Sequence, residues 1–241
     1  MNQLANLTTI LSLFCGFISV AFSLSGHFTF SAYSIIISVI LDGLDGQIAR
    51  LSKSSSEFGK ELDSLVDVVS FGVAPSLLGY IFIFNSFHFL ASVVLFIYLM
   101  CAVVRLAKYN ITIKVNHNYY FNGLPITIGG GIISSFILVY RRKKEMLFPD
   151  FLPKFFSPQS MHLLFICLVL LLAFLMVSKV RYLNLDGIKK LFGKRLKLVI
   201  LSVLLVLAGA FYWDKEGVIL FIILLIYLIF SPFVVKRLNK I

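Results

Sequence analysis

Apolar runs of about twenty residues recur along the whole chain, and no other feature limits its folding so strongly. Crossing the hydrocarbon core of a bilayer takes roughly 20 helical residues. Candidate runs lie at about 5–25, 29–50, 60–84, 87–109, 124–140, 160–178, 196–213 and 217–235. Hydrocarbon offers no partner to a backbone N–H or C=O, so each run is predicted to be a helix. Composition points the same way. Hydrophobic residues make up 59% of the 241 positions and charged residues 14%, against about 45–50% and about 25% in soluble domains. A soluble globule of this length could not cover so much apolar surface. The predicted fold class is therefore all-α, a polytopic integral membrane protein of about eight transmembrane helices. The first run opens on Met1-Asn2-Gln3-Leu4 without a basic start or a small-residue cleavage site, and it is expected to be retained as a span.

The formal charge of +11 would suggest nucleic acid in a soluble protein. In a polytopic one it reflects basic loops facing anionic lipid, and no nucleic-acid partner is expected. With the N-terminus in the cytoplasm, 16 Lys and Arg fall on the inner side and 6 on the outer. That asymmetry predicts both termini inside. Arg141-Arg142-Lys143-Lys144 then lies outside, against the rule. The longest polar stretches, 51–61, 114–122 and 181–197, all fall on the inner side, where chemistry on a soluble substrate is expected. Cys15, Cys101 and Cys167 sit singly in apolar runs, which suggests neither disulfide nor zinc.

The second and third runs carry acidic residues at their facing ends: Asp42 and Asp45, then Asp63 and Asp67. Spacings of three and four place each pair on one helix face, one turn apart. The connection between them is short and serine-rich, so the two helices should be antiparallel neighbours with converging carboxylates. An Asp at the centre of a membrane helix costs about 2.5–3.5 kcal/mol, and four together also repel one another. Divalent cations offset both effects; the all-oxygen donor set suits magnesium, manganese or calcium and disfavours zinc or copper. Gly43, Gly46, Ala49 and Gly59 leave room for a bulky polar ligand, and Arg50, eight after Asp42, shares its face and suits a phosphate. On chemistry alone, a metal-assisted phosphoryl-transfer enzyme and a cation pathway in a transporter both fit.

The full spacing is Asp-x2-Asp-Gly-x2-Ala-Arg-x8-Gly-x3-Asp-x3-Asp, formed by Asp42, Asp45, Gly46, Ala49, Arg50, Gly59, Asp63 and Asp67. It resembles the signature of the CDP-alcohol phosphatidyltransferases, a family of integral membrane enzymes. Further segments resemble its serine-accepting branch, the bacterial and archaeal phosphatidylserine synthases. They are Asn6-Leu7-Thr8-Thr9, Phe14-Cys15-Gly16, the run from Asp67 to Pro75, Arg105-Leu106-Ala107-Lys108-Tyr109-Asn110 and Phe121-Asn122-Gly123-Leu124-Pro125. Lys108 and Tyr109 replace that branch's Arg and Phe, and Ser12 stands where it more often has Asn.

The resemblance implies a six-helix catalytic core, often dimeric, in the inner cell membrane with its site open to the cytoplasm. Two further helices would follow it. The chain would divide into a core at 1–180, with the motif at 42–67, and a basic loop plus two C-terminal helices at 181–241. The substrates implied are CDP-diacylglycerol and L-serine, with release of CMP. Asp42, Asp45, Asp63 and Asp67 would hold two divalent metals, Mg2+ or Mn2+, and Asp67 would also act as general base. Asn6, Thr9, Gly46, Ala49, Arg50, Ser56 and Gly59 would line the CDP-diacylglycerol site. Arg105 and Lys108 are the candidates for the serine carboxylate. Another acceptor, glycerol 3-phosphate or an inositol phosphate, is the alternative within the family; a cation-coupled transporter is the alternative outside it.

Overall fold

A computed structural model of the chain describes residues 2–52, 57–83, 87–113, 120–143, 158–184, 187 and 216–238. The run at 196–213 and Ser56 lie outside the described residues, as do the side chains of Ala49 and Arg50. Among the described residues, α1 (Asn2–Leu24) and α2 (Phe28–Ser52) form a hairpin. Next come α3 (Glu57–Asp67), a π-helical stretch (Val68–Val73) and α4 (Ala74–Ile83), which together make one span. They are followed by α5 (His88–Ile113), β1 (Tyr120–Asn122), α6 (Ile126–Lys143), α7 (Pro158–Val177), β2 (Arg181–Leu183) and α8 (Glu216–Leu238). Six of these helical spans are long and apolar enough to cross a membrane, and α6 is a shorter apolar helix. The all-α polytopic expectation holds. The one departure among the described residues is a small antiparallel ribbon pairing Tyr120 with Leu183, Phe121 with Tyr182 and Asn122 with Arg181.

Serines hold the α1–α2 hairpin. Ser12 and Ser38 hydroxyls meet at 2.7 Å, Ser19 and Ser31 at 2.8 Å, and Ser23 and Ser31 at 2.7 Å. Small side chains bring the backbones close, and each hydroxyl finds a partner that lipid could not supply. Ser70 extends the contact to the third span by donating to the Ser12 carbonyl at 3.2 Å.

The third span changes its winding at Val68–Val73 for a local reason. Pro75 has no N–H, so the carbonyl four residues earlier, on Phe71, has no helical donor. The Tyr98 hydroxyl of α5 supplies one at 3.1 Å, while the Ala74 N–H reaches back five residues to the Val69 carbonyl. Against this stretch packs α6, buried continuously from Gly129 to Leu138. A Cβ on Gly130 would stand 3.3 Å from the Phe71 Cα and 3.2 Å from the Pro75 ring, so only glycine admits this approach without a shift. The glycines at 129–131 thus mark the central helix of the bundle, buried all round.

Candidate active site

The acidic site forms where α2 and α3 come together near the ends joined by residues 53–56. Asp42 contributes from α2, and Asp63 and Asp67 from successive turns of α3. One carboxylate oxygen from each lies within 4.8 Å of the other two. The Asp42 and Asp67 carboxyls interact with each other directly. Asp67 is the last residue before the π-helical stretch. Asp63 and Asp67 face Asp42 from the α-helical turns before it, and Ser70, within the stretch, meets Ser12. π-Helical turns often accompany functional sites.

Asp45 sits one turn beyond Asp42, 6% exposed, and interacts electrostatically with Asp42 and Asp63. It stands outside the tight group of three. The Thr9 hydroxyl of α1 donates to its Oδ2 at 3.0 Å, and the Gly46 N–H bonds the same carboxyl. Thr9 is thus bonded to Asp45, and the resemblance also implies a place for it in the CDP-diacylglycerol site. Asn6 lies half-buried one turn before Thr9, and Gly46 and Gly59 are half-buried as well. Gly43 faces open space, with nothing within 4 Å of the position its Cβ would take.

Arg105 of α5 is the cation of the site. It is only 6% exposed and interacts electrostatically with Asp67 and Asp42. Its guanidinium carbon lies 4.9 Å from the centre of the Tyr109 ring and 5.7 Å from that of Phe121. These two rings meet edge to face at 5.5 Å. Cation–π contacts of this kind gain strength where water is excluded. Among the described residues, the buried Nε of Arg105 has no hydrogen-bond partner, and an unmade bond of that kind is costly in a closed structure. Lys108, by contrast, is exposed. Asn110, one turn past Arg105, donates to Ser64 at 2.9 Å and so ties α5 to the helix that carries Asp63 and Asp67.

Three half-buried oxygen donors at this separation, with a fourth beside them and no nitrogen or sulfur ligand among the described residues, are a hard-donor set that fits a divalent cation of the magnesium or manganese type. The aromatic partners of Arg105 were not evident as a unit in the sequence. Tyr109 reads there as a departure from a motif, and Phe121 as part of a separate segment.

A family model for CDP-alcohol phosphatidyltransferase matches residues 2–153, more than half of the chain. The chain belongs to this family. The matched region holds all four aspartates, Arg105 and the π-helical stretch; α7, β2 and α8 follow it. The similarity to individual phosphatidyltransferases runs further. CDP-diacylglycerol–serine O-phosphatidyltransferase of Helicobacter pylori is 35% identical over 94% of this chain and 88% of its own length. Archaetidylserine synthase of Methanothermobacter thermautotrophicus is 31% identical over 76% of this chain and 71% of its own. A Saccharomyces cerevisiae CDP-diacylglycerol–serine O-phosphatidyltransferase is 36% identical over 61% and 57%.

Proposed function

We infer that this CDP-alcohol phosphatidyltransferase is a phosphatidylserine synthase, moving the phosphatidyl group of CDP-diacylglycerol to the hydroxyl of L-serine. The observation that carries this reading is the buried Arg105, its Nε without a partner among the described residues, beside the Asp42–Asp63–Asp67 group. Acid cluster and cation stand together: one suits a metal-bound diphosphate, the other a carboxylate. The curated names of the Helicobacter and Methanothermobacter relatives, both of which specify serine, support the same acceptor.

In this mechanism the lipid tails stay in the bilayer while the CDP moiety enters the slot beside Gly43 and Gly46. Asn6, Thr9, Ala49, Arg50, Ser56 and Gly59 line the nucleotide side, Thr9 also holding Asp45 in place. Two divalent ions, Mg2+ or Mn2+, held by Asp42, Asp45, Asp63 and Asp67, would neutralise the diphosphate and offset charge on the departing CMP. Arg105 pairs with the serine carboxylate and turns its hydroxyl toward the β-phosphorus, and Lys108 adds positive charge at the pocket's exposed edge. Asp67 takes the hydroxyl proton as the serine oxygen bonds to phosphorus. The bond from that phosphorus to the bridging oxygen breaks, and CMP leaves with the electron pair. The protein acts in the inner cell membrane with this site toward the cytoplasm. It works as a homodimer, with 1–180 as the catalytic core and 181–241 as an added C-terminal region.

The test is CMP release from CDP-diacylglycerol in mixed micelles, with magnesium or manganese and a panel of alcohols. Serine should be preferred by a wide margin over glycerol 3-phosphate and inositol phosphate. If glycerol 3-phosphate turned over best, the acceptor would be wrong and the family right. Metal-dependent ion flux without CMP release would point to a transporter instead.

A further inference from the structure

Helix α8 lies beyond the region that the family model matches, yet it reaches the acceptor side of the site. Leu183, the last residue of β2, has both its backbone groups bonded to this helix. Its N–H donates to the Ser231 hydroxyl at 2.7 Å, and its carbonyl accepts from the Tyr227 hydroxyl at 2.7 Å. Tyr227 and Ser231 are four residues apart, so they stand one above the other on a single face of α8. The two hydrogen bonds close a ring through Leu183 and the turn of α8 between Tyr227 and Ser231.

The ring connects to Arg105 in two ways. Tyr227 and Arg105 interact electrostatically across the interior. The second route is through the ribbon. The Tyr227 ring stacks on Tyr182 of β2, centroids 6.1 Å apart and 24° from parallel. Tyr182 is paired in register with Phe121 of β1, and Phe121 is one of the two rings against the Arg105 guanidinium. Gly123 anchors the other end of the ribbon. Its N–H bonds the Val180 carbonyl at 2.8 Å, its φ is +80°, and a Cβ there would collide with the Met176 carbonyl.

We propose that Tyr227 and Ser231 make α8 the positioning element of the acceptor pocket: their hydrogen-bond ring fixes β2, and through it Phe121 and the setting of the Arg105 guanidinium. The proposal rests on the reading of Arg105 as the cation for the acceptor. It gives the C-terminal helix a part in choosing and holding the acceptor, while the lipid nucleotide is bound by groups on α1, α2 and α3.

The test is steady-state CMP release by the full chain in micelles, with the KM of each substrate measured separately. Tyr227→Phe removes one hydroxyl without changing the ring's shape. It should raise the apparent KM for the best acceptor in the panel about three- to tenfold, the range that one intramolecular hydrogen bond allows. The KM for CDP-diacylglycerol should stay within about twofold of normal, on the same reasoning. Ser231→Ala should repeat the effect and Ser231→Thr, which keeps the hydroxyl, should rescue it. A general loss of packing would not give that pattern: it would change both substrates together and would not distinguish Ala from Thr. An unchanged acceptor KM in Tyr227→Phe, or equal changes for the two substrates, would overturn the proposal. Because the effect is read on whichever alcohol proves best, an acceptor other than serine leaves the test intact. Arg105→Lys separates the two layers. If it raises the acceptor KM and Tyr227→Phe does not, α8 has no positioning role and the reading of Arg105 stands. If only Tyr227→Phe raises it, α8 positions the pocket and the cation lies elsewhere.

Discussion

A guanidinium buried in a membrane helix bundle carries a large desolvation cost, and Arg105 meets it with two aromatic faces and two nearby carboxylates. What those partners do not satisfy is Nε. Lysine at this position would keep the charge and lose the fork that fits a carboxylate with two parallel bonds. Arg105→Lys is therefore expected to raise the apparent KM for serine by about tenfold or more, equivalent to roughly 1.4 kcal/mol of lost binding. The KM for CDP-diacylglycerol should hardly move. Arg50→Lys should show the reverse pattern if Arg50 contacts the diphosphate. Initial rates at subsaturating concentrations of each substrate would resolve the two; no kinetic effect in Arg105→Lys would reduce Arg105 to an ordinary positive-inside residue.

At the scale of an element, the decisive piece is the third span, because it carries Asp63 and Asp67 and changes its winding directly after them. Pro75 withdraws a donor from the Phe71 carbonyl, and Tyr98 from the neighbouring helix restores it. Tyr98→Phe leaves a buried carbonyl without a partner, a cost of about 1–3 kcal/mol. We expect two consequences, a thermal midpoint in detergent lower by several degrees and a several-fold fall in kcat. The second should occur because Asp63 and Asp67 lose their fixed phase relative to Asp42. Unchanged turnover alongside reduced stability would mean that the π-helical stretch supports packing alone. Either substrate's KM should be affected less than kcat, since neither Tyr98 nor Phe71 belongs to the binding slot.

For the whole molecule, the acidic cluster is a source of instability that a bound divalent cation would relieve. Three carboxylates within 4.8 Å repel one another in a poorly solvated site. A divalent cation bound to the folded form alone should stabilise it by mass action, about 2.7 kcal/mol at a hundredfold excess over Kd. Magnesium or manganese is thus expected to raise the thermal midpoint of the wild-type protein, and chelation to lower it reversibly. Asp42→Asn, Asp63→Asn and Asp67→Asn should each abolish CMP release while the protein remains inserted, since the amide keeps the size and costs less in the bilayer. The metal-dependent rise should shrink or vanish in Asp42→Asn and Asp63→Asn. Metal-independent melting of the wild type would contradict the assignment of the cluster as a metal site.

Much of this protein is written in local order along the chain. Hydrocarbon imposes a length and a polarity on every span, so the helices, their approximate limits and the all-α class follow from apolar runs alone. The carboxylate pairs were equally legible, because i,i+3 and i,i+4 spacings place side chains on one helix face whatever the tertiary context. Contacts between distant segments were not. That Asp42, Asp63 and Asp67 form the tight group while Asp45 takes a threonine from α1 depends on how α1 sits across α2. The box around Arg105 unites residues from α5 and β1, and the ring that fastens Leu183 unites residues 48 positions apart. Such choices are made when whole helices pack, because a hydrogen bond or an aromatic contact can be satisfied by any segment that arrives at the right place. Periodicity within one segment carries no record of which one does.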